Sequence, residues 1–494
     1  MDNDGGKRPK GTWFGRIKKR FWDGERDGKI YNEIFRMTWP AFIELFLASM
    51  FGVIDFAMVG HMGNTEALKD INITAAMSGI GITSQPFNIL IAVLAAINVG
   101  TTTLISWSFG AGKRKEMSFV ARQAVLFSSI VGLALMGIGI LGNRSIMNFM
   151  SPDAEAVEFG ITYMRIMCWG LPFQAVTMCI NAALRGCGQT RIPMFYNVGA
   201  NLLDVFLNYA MVYGKFGFAA MGVEGAALST SIVRALACIA ALLILIFWKN
   251  SPIRLRVRES WKPDWKIMKQ MVTIGLPAAG EQLVLQTGLM MYQKIIAALG
   301  TAEHSAHQVA CNVNGMAWSI SQAFSVCTNA LVGHSIGADD PGQAVRYTVL
   351  ARRMARVSTA VVAVLFVIFA RPLVTMFTPE PDVIKFAIPI IWIVALIQYV
   401  QSALMCTAGA LRGAGDTMYP LYASLLGVWV FRIAIAYFLA DPKYMNWGLV
   451  GAWCAFVIDQ VVRGVFINMR FKSGKWRDLK KKKHSAFDDE AVMG

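Results

Sequence analysis

The sequence predicts an all-α membrane protein, twelve transmembrane helices in two parallel pseudo-twofold six-helix bundles, and three observations predict it. Of 494 residues, 55% are apolar and only 16% charged, with a mean hydropathy of +0.47, far from the composition of a soluble domain of that length. The apolar residues gather into runs of about twenty or more, each sufficient for a hydrocarbon core of roughly 30 Å. The second half of the chain then repeats the first in register, which is the mark of a duplicated bundle.

The runs lie at approximately 34–60, 74–107, 119–141, 157–181, 191–213, 222–248, 269–299, 304–335, 347–370, 383–408, 418–439 and 447–470. They divide the chain into a basic leader at 1–33, a six-helix lobe at 34–248, a linker at 249–268, a second six-helix lobe at 269–470 and a basic tail at 471–494. The leader is polar and basic, unlike a cleavable signal, so targeting is expected to rest on the first helix. Its segment KGTWFGRIKKRFW interleaves cations with aromatics, which suits topology charges or a contact with anionic membrane lipids.

Loop charges alternate. Lys113, Arg114 and Lys115 follow span two, Arg185 and Arg191 follow span four, and KNSPIRLRVRESWKPDWK follows span six. Arg346, Arg352 and Arg353 follow span eight, Arg412 follows span ten, and the tail holds RDLKKKKH, whereas HMGNTEALKD, SPDAEAVE and GTAEH are poorer in cations. By the positive-inside rule both termini are expected in the cytoplasm, the protein lying in the cell (inner) membrane.

The repeat has a constant offset: NRSIMNFMSPDAEAVEF at 143 aligns on ARPLVTMFTPEPDVIKF at 370, and NAALRGCGQTRIP at 181 on AGALRGAGDTMYP at 408, since 370−143 and 408−181 both give 227. Gln174 then meets Gln401, Met178 meets Met405, Arg185 meets Arg412 and Thr190 meets Thr417. The first helix matches the seventh at an offset of 237: Pro40 and Glu44 meet Pro277 and Glu281, and Gly63 meets Gly300. Six spans per half is an even number, so the halves are parallel, with a cleft between them where such folds place substrate.

Several chemistries are excluded or disfavoured. The net charge of +16 sits in alternate loops and at the termini rather than in a recognition motif, so nucleic-acid binding is not expected. GAGKRKE at 110–116 lacks the spacing and hydroxyl of a phosphate-binding loop, so any energy must come from an ion gradient. Eight cysteines are scattered singly, giving neither a disulfide framework nor a zinc site. His304 and His307 beside Glu303 are a weak echo of a metal face, and an interfacial histidine pair is the commoner arrangement. No metal, cofactor, enzyme nucleophile or extramembrane receptor domain is expected.

The carboxylates inside apolar runs carry the functional signal. A charge near the centre of a membrane helix costs roughly 2.5–3.5 kcal/mol on insertion scales, so it normally faces protein or water and marks a pathway. Glu44 and Asp55 share one face of the first helix, about 16 Å apart by helical rise. In span five Asp204 and Asn208 lie one turn apart on one face, and Asp55 and Asn208 each lie five residues before the outer end, at Gly60 and Tyr213. A cavity lined by Asp55, Asp204 and Asn208 follows if helices one and five are neighbours; the alternative is a hydrogen-bonded network that locks the half together. Symmetry breaks at Asp55, which the repeat sets against Tyr292. Glu44 and Glu281 stand four residues past a helix-bending proline, either as cation ligands or as partners of polar neighbours. Arg234, Lys294, Arg432, Asp459 and Arg463 are further charges in or near spans. The 28 methionines and 30 phenylalanines suit a compliant apolar cavity, although most of them will face lipid or core.

Over about 34–470 the sequence resembles the multidrug and toxic compound extrusion (MATE) transporters. The resemblance is carried by VIDFAMVGHMG at 53–63, the twin turns ALRGCGQT and ALRGAGDT, SWSFGAG at 106–112 with its partner GHSIGAD, and LLDVFLNYAMVYG in span five. It implies secondary antiport by a monomer, a cationic amphiphilic compound leaving as protons or sodium ions enter. The family's first-helix acid falls on Asp55, with sodium, if used, at Asp55, Asp204 and Asn208. Where many members carry Asn and then Asp four residues later, this chain has Asp204 and then Asn208; where some carry a glutamate eight residues past the span-seven proline, it has Leu285. The competing readings are a lipid-linked precursor flippase of similar build, which would want a cationic cavity, and a non-transporting receptor or scaffold.

Overall fold

The computed structural model describes residues 24–60, 72–150, 153–248, 252–254, 261–440, 444–477 and 479. The aromatic-basic leader segment, the loop HMGNTEALKD with Gly63, most of the linker and most of the basic tail lie outside the described residues. In chain order the helices are α1 (Gly24–Gly60), α2 (Ile73–Gly110), α3 (Arg114–Met150), α4 (Ala154–Trp169), α5 (Leu171–Gly186), α6 (Arg191–Tyr213), α7 (Val223–Phe247), α8 (Trp265–Ala297), α9 (Thr301–Gly337), α10 (Pro341–Ile368), α11 (Ala370–Thr375), α12 (Pro381–Gly413), α13 (Met418–Leu425), α14 (Ala434–Ala440) and α15 (Gly448–Ser473).

All twelve expected spans are helical. Seven described helices are long and apolar enough by themselves to cross a membrane, and α4 with α5 qualify as one span bent by 48°. That bend sits at Gly170, followed by Pro172 at the start of α5, where a proline lacking its N–H ends the α4 ladder. Span eleven is α13 and α14 joined by a π-helical stretch, Leu426–Ile433. The first helix begins at Gly24, before the apolar run: Ile30, Ile34 and Met37 recur at helical spacing and are buried with Phe324, Leu331, Leu350 and Ala351 of α9 and α10. Asp153, Asp264 and Asp340 accept backbone N–H bonds at the starts of α4, α8 and α10.

Large apolar side chains left on the surface, such as Leu141, Phe149, Phe195 and Trp392, are stable only against lipid. Within the first half, Phe87, Leu94, Leu135, Met164 and Leu171 pack together; in the second, Ile296, Val313, Ile390, Val394 and Trp453 do so.

The halves meet at the end that holds the start of α1 and the ends of α2 and α9, termed the inner end because loop charge leads it to be expected on the cytoplasmic side. Trp107 Nε1–H donates to the carbonyl of Gly413 at 2.9 Å, and His334 Nε2 lies 2.7 Å from the carbonyl of Gly186, which can only accept. These bonds are counterparts, since 334−107 and 413−186 both equal the repeat offset of 227. Each ring satisfies a carbonyl in the last turn of a helix of the opposite half, a group that lacks an intrahelical partner. Glycine is required beside them: a Cβ on Gly110 would stand 2.0 Å from the oxygen of His334, and one on Gly337 would stand 2.3 Å from that of Trp107. Asp27 and Arg346 add an ion pair of 2.9 Å between α1 and α10.

Alanine at Gly110 or Gly337 is therefore expected to force the inner ends apart and destabilise the purified protein by about 1–3 kcal/mol. A thermal-shift series checks this, with Gly137→Ala, which meets nothing within 4 Å, as the neutral control.

Candidate functional site

Helices α1 and α6 are neighbours, the condition on which a shared site of Asp55, Asp204 and Asn208 depended. Tyr213 donates its hydroxyl to the carbonyl of Met58 at 2.8 Å, tying their outer ends together. One to two turns deeper, Asn208 Nδ2 donates to Asp55 Oδ1 at 2.9 Å. Asn208 is buried, and its own carbonyl oxygen accepts from Ser229 Oγ of α7 at 2.9 Å. The amide is thereby oriented: its NH₂ must point at Asp55, because its oxygen is already engaged. Next to Ser229, Thr230 Oγ1 lies 3.5 Å from Asp204 Oδ2, while Asp204 Oδ1 is buried with no hydrogen-bond partner among the described residues. Arg234, one turn further along α7, interacts electrostatically with Asp204 and lies over the Phe87 ring at 5.0 Å. Three of the six expected residues thus form one group, joined by Ser229, Thr230 and Arg234. Of these, Arg234 was visible in the sequence as an intramembrane charge, whereas the two hydroxyls of α7 carry no signal apart from their neighbours.

Glu44 and Glu281 do not join this group. Arg185 Nη2 lies 2.6 Å from Glu44 Oε1, which also accepts from Asn197 Nδ2 at 2.7 Å. Arg412 Nη2 reaches Glu281 Oε1 and Oε2 at 2.7 and 2.8 Å, with Ser424 Oγ 3.5 Å from Oε1. The two networks are copies: 412−185 and 424−197 both give 227. The arginine of each ALRG turn is therefore the counterion of the glutamate behind each helix-bending proline. The repeat offset could have revealed Asn197 and Ser424 in advance.

Tyr292 also stands apart. It is buried in the second half between the rings of His307, at 5.7 Å, and Phe456, at 6.5 Å. Its hydroxyl has no hydrogen-bond partner among the described residues. Arg432, carried by the π-helical stretch, lies 4.2 Å from the Phe456 ring centre and pairs with Asp459, which also binds Arg463 at 2.8 Å. In the second half the intramembrane charge is thus an arginine–aspartate–arginine triad, whereas Asp55 in the first half has an amide as its hydrogen-bond partner.

A cavity of about 170 Å³ opens between the halves, with Arg185 and Arg412 in its wall.

The MatE family model matches residues 40–210 and 277–438, once in each half. The chain belongs to the MATE family of multidrug efflux transporters. Over 458 residues it is 29% identical to a probable multidrug resistance protein NorM of Thermotoga maritima, covering 93% of this chain and 96% of that protein. It is 27% identical over 444 residues to the uncharacterized transporter YisQ of Bacillus subtilis, covering 90% and 94%. A structure described as the outward-facing conformation of a multidrug resistance MATE family transporter superposes with a TM-score of 0.82 at 20% identity, over 90% of this chain and 96% of that one. At that identity the likeness is one of fold. MATE proteins are transporters and not enzymes, so the groups above are to be read as ligands and counterions.

In this MATE protein, removing one member of a buried ion pair strands the other. Glu44→Gln and Arg185→Gln are each expected to destabilise by about 3–5 kcal/mol, whereas the double substitution recovers most of that loss. The melting temperatures of the three purified variants check it.

Proposed function

We propose that this transporter is a secondary antiporter that exports cationic amphiphilic compounds in exchange for protons or sodium ions, and that the exchange is centred on Asp55. The observation that carries the reading is the partner Asp55 has: a neutral amide, Asn208, rather than a cation. Glu44, Glu281 and Asp459 are each neutralised by arginine. A carboxylate left with only an amide in an apolar surround prefers to take up a proton, a metal cation or an organic cation. All three occupy the same oxygens, so they exclude one another.

The neighbouring groups fit that role. Asp204 and the hydroxyl of Thr230 offer oxygens for a small cation at Asp55, Asn208 and Ser229 orient the carboxylate through their hydrogen bonds, and Arg234 limits the accumulated negative charge. Tyr292 stands where the repeat would have placed a second acid, which supports coupling through the first lobe, 34–248, alone. Glu44 and Glu281 act as counterions. The linker at 249–268 and the second lobe at 269–470 complete the two-lobed body. Contacts clustered at the inner end support a state closed towards the cytoplasm, from which rocking of the lobes presents Asp55 to the other side. A ligand favours that rocking only through its different affinity for the two states. The membrane potential supplies about 2.3 kcal/mol per charge per 100 mV, and a pH difference about 1.4 kcal/mol per unit. The relatives' naming as multidrug resistance proteins agrees with this reading, which takes the protein as an inner-membrane monomer with both termini cytoplasmic and no cofactor.

One observation favours the flippase alternative, the arginines of the central cavity. Each of them is matched by a glutamate, so the pairs are neutral overall and poorly suited to the polyanionic head of a lipid-linked precursor.

In proteoliposomes, export of ethidium is expected to follow an imposed pH or sodium gradient, each applied separately, and to stop in Asp55→Asn while the variant still inserts. Continued uphill export by Asp55→Asn would overturn the assignment. Asn208→Leu, which keeps the carboxylate and removes its amide partner, is expected to lower transport about tenfold, the amount expected from loss of a hydrogen bond to a charged group.

A further inference from the structure

The cavity between the halves is built from the repeat. Its wall contains Asn98 and Ser325, Thr102 and Asn329, and Arg185 and Arg412, and 325−98, 329−102 and 412−185 all give 227. It therefore lies on the pseudo-twofold axis, one helical turn from the carbonyls of Gly186 and Gly413 where the halves close. No carboxylate is among the residues that line it. Glu44 and Glu281 are 6% and 4% exposed and stand outside the lining, so each ion pair presents its cationic member to the cavity. A guanidinium has five N–H donors. The glutamates take them only from Nη2 of Arg185 and of Arg412, and the two arginine side chains remain 18% and 12% exposed. Amides from both halves, Asn98 and Asn181 from the first and Gln322 and Asn329 from the second, supply further N–H donors, and no carboxylate in the wall repels an anion.

We propose that this cavity is an anion-recognising subsite that takes the carboxylate arm of a zwitterionic amphiphile. The proposal rests on the efflux reading above. Its volume of about 170 Å³ compares with roughly 30 Å³ of liquid for one water, enough for a carboxylate with the ring that bears it. Because both ion pairs are already neutral, the site suits one negative charge. A monoanionic arm gains charge-assisted hydrogen bonds from two guanidiniums whose geometry matches a carboxylate.

The test compares a rhodamine bearing a free benzoate, a zwitterion, with its ethyl ester, a cation, as cargo in gradient-driven proteoliposomes. Wild type is expected to export both. The paired variant Arg412→Gln with Glu281→Gln, which removes both charges together, is expected to raise the half-saturating concentration of the acid about tenfold or more, the loss of one hydrogen bond to a charged group, with the ester within about twofold. Asn329→Leu leaves both ion pairs intact and is expected to weaken the acid alone by about threefold to tenfold. Equal losses for acid and ester in both variants would overturn the subsite, and so would a wild type that exports the ester but not the acid. A wild type that exports neither, under either gradient, would instead overturn the efflux reading, and the subsite with it. If the paired variant fails to fold, Asn329→Leu and fluorescence titration of both dyes against detergent-purified wild type decide: tighter binding of the acid supports the subsite, equal or weaker binding refutes it.

Discussion

A charged side chain inside a membrane helix must be answered by another group, and the pattern of answers organises this protein. Glu44 and Glu281 are answered by Arg185 and Arg412, Asp459 by Arg432 and Arg463. The two glutamate pairs tie together helices distant in sequence, α1 to α5 and α8 to α12, and Arg432–Asp459 ties the π-helical stretch to the next span, α15. With lipid outside, such ties do work that hydrophobic burial does in a soluble core, because apolar side chains gain little by leaving lipid for protein. Against that background Asp55 differs, its hydrogen-bond partner being the neutral amide of Asn208, and the proposed exchange rests on that difference.

Duplication explains most of the geometry and also shows where function departs from it. The reciprocal bonds of Trp107 and His334, the facing Gly110 and Gly337, and the two glutamate–arginine networks all follow one offset. They form the frame: the closed inner end and the cavity above it. The departures lie towards the outer half of each bundle, where the first carries Asp55 and Asp204 and the second carries Tyr292 and the Arg432–Asp459–Arg463 triad. A symmetric frame with asymmetric chemistry is what the proposed exchange requires: two similar bundles that rock, with the coupling ion handled in one.

Much of this was legible in the chain. Twelve spans and the repeat follow from hydropathy and register alone, because bilayer thickness fixes helix length and backbone polarity leaves helices as the only form for such runs. The grouping of Asp55 with Asn208 was legible from depth, since both lie at the same distance from a helix end. The partners of Glu44 and Glu281 were not. Arg185 and Arg412 were visible as loop cations and counted towards topology, yet their side chains reach back from the ALRG turns into the bundle. The start of α1 at Gly24 was hidden because its buried residues, Ile30, Ile34 and Met37, are spaced among charges.

The sequence by itself determined the apolar spans, the duplication, the family, and the presence of an acid that had to be explained. Only the tertiary structure decided which acids are spent as counterions and which one remains available, and that two arginines, one from each half, line a shared cavity. The physical reason is that helical period and hydropathy are local properties of a chain, whereas the state of a buried charge depends on whichever group packing brings within hydrogen-bond distance.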